Sequence, residues 1–499
     1  MTATLTPNAS TRMRLATNVS TESPLNQITE EKLTEIDAYL DAYAQTGRFS
    51  GTVFINQTDH APIIRSYHFA NQEHQVANTP ITRFRIGSVT KQFTAVAILQ
   101  LQEAGLLDLQ APITTYLPDY PEGNQLTIHQ LLTHTAGIPE YLDPVAFPDL
   151  IEWIGQPTTV NQLVDRFKDL PLEFRPGEKF KYSNSGYVLL TQIIEVVSNQ
   201  PYVDYLQANI FDPLKMNNTG YEVPQTVIPH LAQGYLFIGN DTYLQAVPLD
   251  MSIPQGAGGL YSTAADLTQW TQWLHDENAD PTVLSSAGRT KLMSPVIQMT
   301  SDPAISEELA SEELTPEDPT SENAPAKESP EIFYGYGIVI DHHFEQQRVQ
   351  HNGGINGFAS ALAHYPQSAM TITVLSNLET APSGRIAEDL AAIAFDQPYD
   401  LPKQREPIDL DPAIYEKYVG NYQLLPEMQV AIRVQDGELT AQATGQSAFV
   451  LYPTSETEFF AQVADITMTF SLTESGTAEG LTLYQLGQEL FSPKIDQPN

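Results

Sequence analysis

Apolar residues at Leu33, Ile36, Tyr39, Leu40 and Tyr43 recur at three- and four-residue intervals, which predicts an amphipathic helix from Glu30 to about Tyr43. Past Gly51 the pattern shortens. Gly51–Asn56 reads as a strand and Ile63 to Ala70 as its hairpin partner. After Gly87 a second helix is expected, with Phe93, Val96, Ala97, Leu99, Leu101 and Ala104 as its apolar run and Gly105 as its stop. Thr127–Thr133 predicts a short helix ended by Gly137 and Pro139, and Tyr187 to about Ser198 predicts a longer one. A glycine-rich turn, Gly256–Gly259, leads into a helix carrying Leu267, Trp270, Trp273 and Leu274. Thr263 and Asp266 stand there at the spacing of a capping box. Phe333–Ile340, Arg348–His351, Gly357–His364 and Met370–Ser376 read as strands joined by short turns, hence antiparallel sheet, with a helix from Ile386 to Phe395 to pack on it. The expected class is α+β: an antiparallel sheet flanked by helices, with a helical lobe between Leu106 and about Gly256.

The chain has 499 residues, more than one hydrophobic core usually fills, so two domains are expected. Residues 1–27 are rich in Thr, Ser and Asn, with Arg12 and Arg14 and no apolar stretch of signal-peptide type, and read as a disordered leader. The main domain spans 28–396. It is interrupted at about 300–331 by an acidic segment whose only basic residue is Lys327, read as a disordered insertion in a surface loop. A linker rich in Pro and charge follows at 397–407. Residues 408–499 then read as a small β-domain, opening on a short helix at Asp411–Pro412 and continuing as strands such as Met428–Val434 and Gly480–Gln485.

Composition narrows the possible chemistry. With 24 basic and 61 acidic residues the formal charge is −37, a field that repels nucleic-acid phosphates and anionic lipid. There is no cysteine, which excludes disulfides, thiolate metal sites and a cysteine nucleophile. No run reaches the roughly 18 apolar residues of a membrane span. The expectation is a cytoplasmic protein, with periplasm or export as the alternative if the true start lies elsewhere. Oligomeric state is left open.

Three segments supply what acyl transfer to a serine requires. Ser88 and Lys91 are three residues apart, so on a helix they share a face, with Ser88 in the first turn where backbone N–H groups gather. An ammonium held beside a hydroxyl in a dry site can lose its proton and act as a base. Tyr182-Ser183-Asn184 offers a phenol to share that proton and an amide to hold Lys91 and contact a substrate carbonyl. His351-Asn352-Gly353-Gly354 sits at a strand end where glycines admit a substrate backbone. The Gly354 N–H can join that of Ser88 as an oxyanion hole, each donor contributing about 3 kcal/mol. Taken singly, each has an ordinary reading: a core aromatic, a turn residue, a hairpin turn.

Together and in this order they resemble the serine β-lactamase and penicillin-binding-protein superfamily, most closely the branch of class C β-lactamases, esterases and D-stereospecific peptidases. Leu131–Gly137, Arg175–Glu178 and Gly258–Thr263 match as well, and the resemblance runs from about Ile28 to Phe395. It implies a β-lactamase/transpeptidase-like fold and no cofactor or metal. It also implies Ser88 as the acylated nucleophile, Lys91 and Tyr182 as the base system and Asn184 as support for lysine and substrate. His351 and Gly353 would lie along the strand edge beside the acyl group, and Gly354 would complete the oxyanion hole. An ester, amide or D-amino-acid peptide is the expected substrate, as in D-alanyl-D-alanine carboxypeptidases and D-aminopeptidases. His351 stands where many β-lactamases and transpeptidases place a lysine, so strong β-lactam hydrolysis is not expected. The C-terminal segment resembles the lipocalin-like barrels appended to some of these hydrolases, on Tyr415, Tyr418, Gly420 and Tyr422, and is expected to brace the main domain.

Two rivals remain. A metal hydrolase would use His134, His342, His343, His351 and His364, but these lack clustered ligand spacing. A non-catalytic binding protein that keeps the fold would be expected to have lost one of Ser88, Lys91, Tyr182 or Asn184, and all are present.

Overall fold

The computed structural model describes residues 28–495 except 59, 144–147, 224–225, 300–330, 403–404, 426–427, 445–447 and 486–487. The leader, nearly all of the acidic insertion and part of the linker therefore lie outside the described residues.

An eight-stranded antiparallel sheet forms the frame. Its order is Ile297–Gln298, Phe333–Tyr334, Val339–His343, Gln346–Ile355, Phe358–Tyr365, Met370–Ser376, Gly51–Gln57 and Ile63–Tyr67. Both faces are covered, and the strand residues are divided between two cores. On Met370–Ser376, Ile372 and Val374 pack among Ile36, Leu40, Leu390 and Ile393 of the helices Glu30–Gln45 and Ser383–Ala394. Leu375, pointing the other way, joins the core of the helical lobe. A strand covered on both sides is buried at every position, as this one is.

The helix Thr90–Glu103 runs through the larger core, and its residues from Thr90 to Leu99 are all buried. Its first ten residues are buried on every face, so the polar groups among them, Lys91 included, are drawn out of water with the helix. Packed on it is the helix Asn184–Ser198. The two-stranded hairpin Tyr235–Gly239 and Thr242–Gln245 packs into the other core, where Tyr235 and Phe237 join Ile372 and Val374.

Four local expectations are corrected. Phe333–Ile340 is a hairpin rather than one strand. The chain reverses after Tyr334 through Gly337, at φ +71°, where a Cβ would lie 2.7 Å from the Lys91 carbonyl oxygen. The Ile63–Ala70 strand stops at Tyr67, because His68 adopts φ +54° and turns its ring to the Ala44 carbonyl, 2.9 Å away. Thr263 accepts from the Asp266 N–H at 3.2 Å, but the box is not closed: the Asp266 carboxylate, one methylene shorter than Glu, accepts instead from the Asn218 N–H at 2.8 Å and the Thr219 hydroxyl at 3.0 Å. The helix expected from Tyr187 begins three residues earlier, at Asn184.

Residues 420–495 form a closed barrel of eight antiparallel strands, each paired with the next in sequence and the last with the first. Its interior is filled by side chains, as eight strands require, with Tyr418 stacked on Phe470 at 4.5 Å between centroids. The barrel meets the main domain at the Tyr235–Gln245 hairpin, where the Asn240 N–H donates to Gln462 Oε1 at 2.6 Å. Among the described residues no helix is long and apolar enough to cross a membrane.

Candidate active site

Ser88 lies at the entrance to the buried helix, in a single tight turn of 3₁₀ helix, Gly87–Val89, rather than in the α-helix itself. Gly87 is required here for two reasons. Its φ is +49°, and a Cβ would stand 2.8 Å from the Gly354 carbonyl oxygen. The turn is thus pressed directly against the strand Gln346–Ile355. Gly353 makes the reciprocal approach, its place for a Cβ being only 2.1 Å from the Ile86 carbonyl oxygen and 3.0 Å from the Ser88 nitrogen. Ser360 on the next strand pins the junction by donating to the Ile86 carbonyl at 2.8 Å. Gly353→Ala is therefore expected to cost about 1–3 kcal/mol of stability through overpacking. Chemical denaturation measures this, and a wild-type midpoint would contradict it.

One turn beyond Ser88, Lys91 is carried into the core with no exposed surface. Its Nζ lies 3.1 Å from Ser88 Oγ and donates to Asn184 Oδ1 at 2.7 Å and the Ala257 carbonyl at 2.8 Å. It also stands 4.6 Å from the centre of the Tyr182 ring and 5.4 Å from that of Tyr187. Burial lowers the Lys91 pKa from its ordinary 10.5 to about 7, partly opposed by the field of Glu140. Near neutrality the side chain is poised between ammonium and free amine. Ser88 is only partly buried, so the hydroxyl opens outward while its neighbour does not.

Glu140 carries no signature in the sequence and proves central. Its carboxylate accepts from the Asn184 N–H at 2.5 Å and the Leu142 N–H at 3.0 Å, capping the helix Asn184–Ser198 from outside. That cap fixes the residue whose side chain holds Lys91. Burial raises the Glu140 pKa, opposed chiefly by the Leu142 and Asn184 amides. The Ala257 carbonyl was equally invisible, since a backbone acceptor has no side-chain signature. It is presented by a short helix, Gln255–Gly258, wedged so tightly that a Cβ on Gly256 would meet Thr191 Oγ1 at 2.5 Å.

The structure thus brings Ser88, Lys91, Tyr182 and Asn184 together and sets Gly353 and Gly354 against the Ser88 turn. His351 differs from expectation. Its side chain is buried, with Nδ1 2.6 Å from the Asn352 carbonyl and Nε2 3.2 Å from the Tyr334 hydroxyl, so both ring nitrogens are engaged within the protein. Burial and the Lys91 charge lower its pKa to about 3, which leaves the ring neutral at ordinary pH. The other histidines do not assemble a metal site: among the described residues no three of His, Asp and Glu are grouped to hold an ion.

Residues 36–395 match the family model described as Beta-lactamase, and residues 404–496 match a domain of unknown function, DUF3471. Penicillin-binding protein 4* of Bacillus subtilis is 28% identical over 92% of this chain and 98% of its own length. The teichoic acid D-alanine hydrolase of Staphylococcus aureus is 28% identical over 46% of this chain and 55% of its own. Among solved structures, a penicillin-binding protein from Bacillus halodurans superposes with a TM-score of 0.57 at 28% identity, covering 71% of this chain and 97% of its own.

Proposed function

The chain belongs to the beta-lactamase family, and we propose that it is a serine hydrolase whose Ser88 takes the acyl group of an ester, amide or D-amino-acid peptide and passes it to water. The observation that carries this reading is Lys91 Nζ, fully buried and held by Asn184 and Ala257 at 3.1 Å from Ser88 Oγ. A lysine is placed this way at a cost in desolvation, and the return is a free amine near neutral pH beside a hydroxyl.

In the first half-reaction the Lys91 amine, with Tyr182 at its side, accepts the Ser88 proton as Oγ bonds to the substrate carbonyl carbon. The oxyanion is met by the Ser88 and Gly354 amides. Collapse breaks the bond to the leaving alcohol or amine, which departs with the proton. Water then attacks the ester on Ser88, gives its proton to the same base, and the free acid leaves as Oγ is reprotonated. Relatives named as a penicillin-binding protein and a teichoic acid D-alanine hydrolase support D-alanyl esters and amides as the first substrates to try.

His351 bears on which acyl donors suit the site. Neutral and bonded at both nitrogens, it offers no cation to a substrate carboxylate. A charge-assisted hydrogen bond contributes about 1.5–3 kcal/mol, so its loss corresponds to roughly 10- to 100-fold in kcat/KM. Assay of a D-alanyl ester, a D-alanine amide and benzylpenicillin in parallel tests this. Hydrolysis of the first two at least tenfold better than penicillin is expected. Penicillin turnover equal to the ester would overturn the substrate assignment.

A further inference from the structure

His134 sits in the Leu131–Gly137 segment with φ +56°, a left-handed conformation uncommon for a side chain of this size. That backbone lets it grip the segment bearing Tyr182 at two points. Its carbonyl accepts from the Lys181 N–H at 2.9 Å, and its ring Nδ1 accepts from the Ser183 N–H at 3.1 Å. Between these bonds its ring lies on that of Tyr182, 4.2 Å between centroids and tilted by 31°. Tyr182 is thus bracketed on both chain neighbours and packed on one ring.

From His134 a line of hydrogen bonds crosses the site, its direction set at the two ends. Nδ1 accepts, so in the neutral ring Nε2 carries the proton and donates to the Tyr334 oxygen, 3.1 Å away. At the far end, His351 Nδ1 faces the Asn352 carbonyl at 2.6 Å; a carbonyl only accepts, so Nδ1 carries the proton and Nε2 is bare. The bare Nε2 can only accept, so across the 3.2 Å between them the Tyr334 hydroxyl is the donor, with the Tyr187 hydroxyl, which itself donates to the Leu132 carbonyl, as its other side-chain neighbour. All three side chains are at most 5% exposed. Burial lowers the pKa of both histidines, so the line carries no charge.

We propose that His134 and Tyr334 are positioning residues that lock Tyr182 and the His351 strand in one register across the site, through a one-directional hydrogen-bond line that fixes His134 as the Nε2–H tautomer and His351 as the Nδ1–H tautomer. Its hub, Tyr334, is the last residue before the hairpin turn seated on the Lys91 backbone. The line thus joins three separate segments around Ser88: the one holding Tyr182, that hairpin and the glycine strand.

The test uses the full chain with 15N-labelled histidine, read by long-range proton–nitrogen correlation, with assignments from His134→Asn and His351→Asn. The wild type is expected to show His351 protonated at Nδ1 and His134 at Nε2. In Tyr334→Phe, which removes one oxygen and keeps the ring packing, His351 is expected to keep its proton on Nδ1, held by the Asn352 carbonyl, while the bare Nε2 loses its donor and its nitrogen resonance shifts toward that of an imidazole nitrogen with no hydrogen bond. The rate of Ser88 acylation by a fluorophosphonate is expected to fall on the order of 10- to 100-fold. The kinetic arm rests on the hydrolase reading above; the tautomer arm does not. A wild type with either histidine in the opposite tautomer or charged at neutral pH overturns the line without recourse to any variant. A Tyr334→Phe protein whose His351 Nε2 resonance is unshifted, or one that is acylated within twofold of wild type, overturns the positioning role. A wild type that takes no label at all overturns the hydrolase reading, and the tautomers then judge the line alone.

Discussion

Ser88→Ala is expected to reduce turnover of any accepted ester or amide on the order of 10⁴- to 10⁶-fold, the range typical for losing a nucleophilic serine. Only one atom is removed, from a partly buried residue at the mouth of the buried helix. Lys91 keeps Asn184 Oδ1 and the Ala257 carbonyl as acceptors, so the variant is expected to melt close to wild type. Residual activity would come from substrate held against the remaining amides, with water as the direct nucleophile. A Ser88→Ala protein that is folded and retains more than a tenth of wild-type turnover would show that the chemistry lies elsewhere.

Lys91→Gln is the second large effect. Loss of a positioned base costs typically 10²- to 10⁴-fold, and glutamine retains a polar group for Asn184 without an amine to take a proton. The same side chain sets the pH dependence. Burial lowers the Lys91 pKa to about 7, so the reactive free amine is in the minority below that pH and dominant above it. Acylation in the wild type is thus expected to rise with pH through about 7 and level off above. That limb should vanish in Lys91→Gln, leaving only the slow background. A wild-type profile that is flat between about pH 6 and 9 would contradict a lysine base.

The sequence revealed the parts of this site that lie in side-chain identity at fixed spacing. Ser88 and Lys91 share a face because they are three apart, and Asn184 could be named as the partner of Lys91 without coordinates. The sheet was also legible, since Met370–Ser376 and its neighbours are β-branched or apolar runs bounded by turns. What could not be read was whatever depends on distant segments meeting. Glu140 looks like a loop acid until the helix at Asn184 is seen to end on it. Tyr334 looks like one more strand aromatic, and a strand was expected through Ile340, because periodicity does not show where Gly337 turns the chain back. His351 was placed on the right strand but at its end, whereas pairing with the next strand runs on through Gly353 and Gly354 to Ile355; its engagement by Tyr334 and its own neighbour's carbonyl also required the fold. The C-terminal strands were visible as alternation and the barrel as a resemblance; the strand-by-strand pairing that closes it, first with last, required the fold.

The most direct test of the central claim is peptide mapping by mass spectrometry after brief exposure of the full chain to a fluorophosphonate. A single adduct on the peptide containing Ser88, formed in the wild type and missing from Ser88→Ala, is the result predicted. A folded wild type that stays unmodified, or one modified at a different serine, would contradict the account.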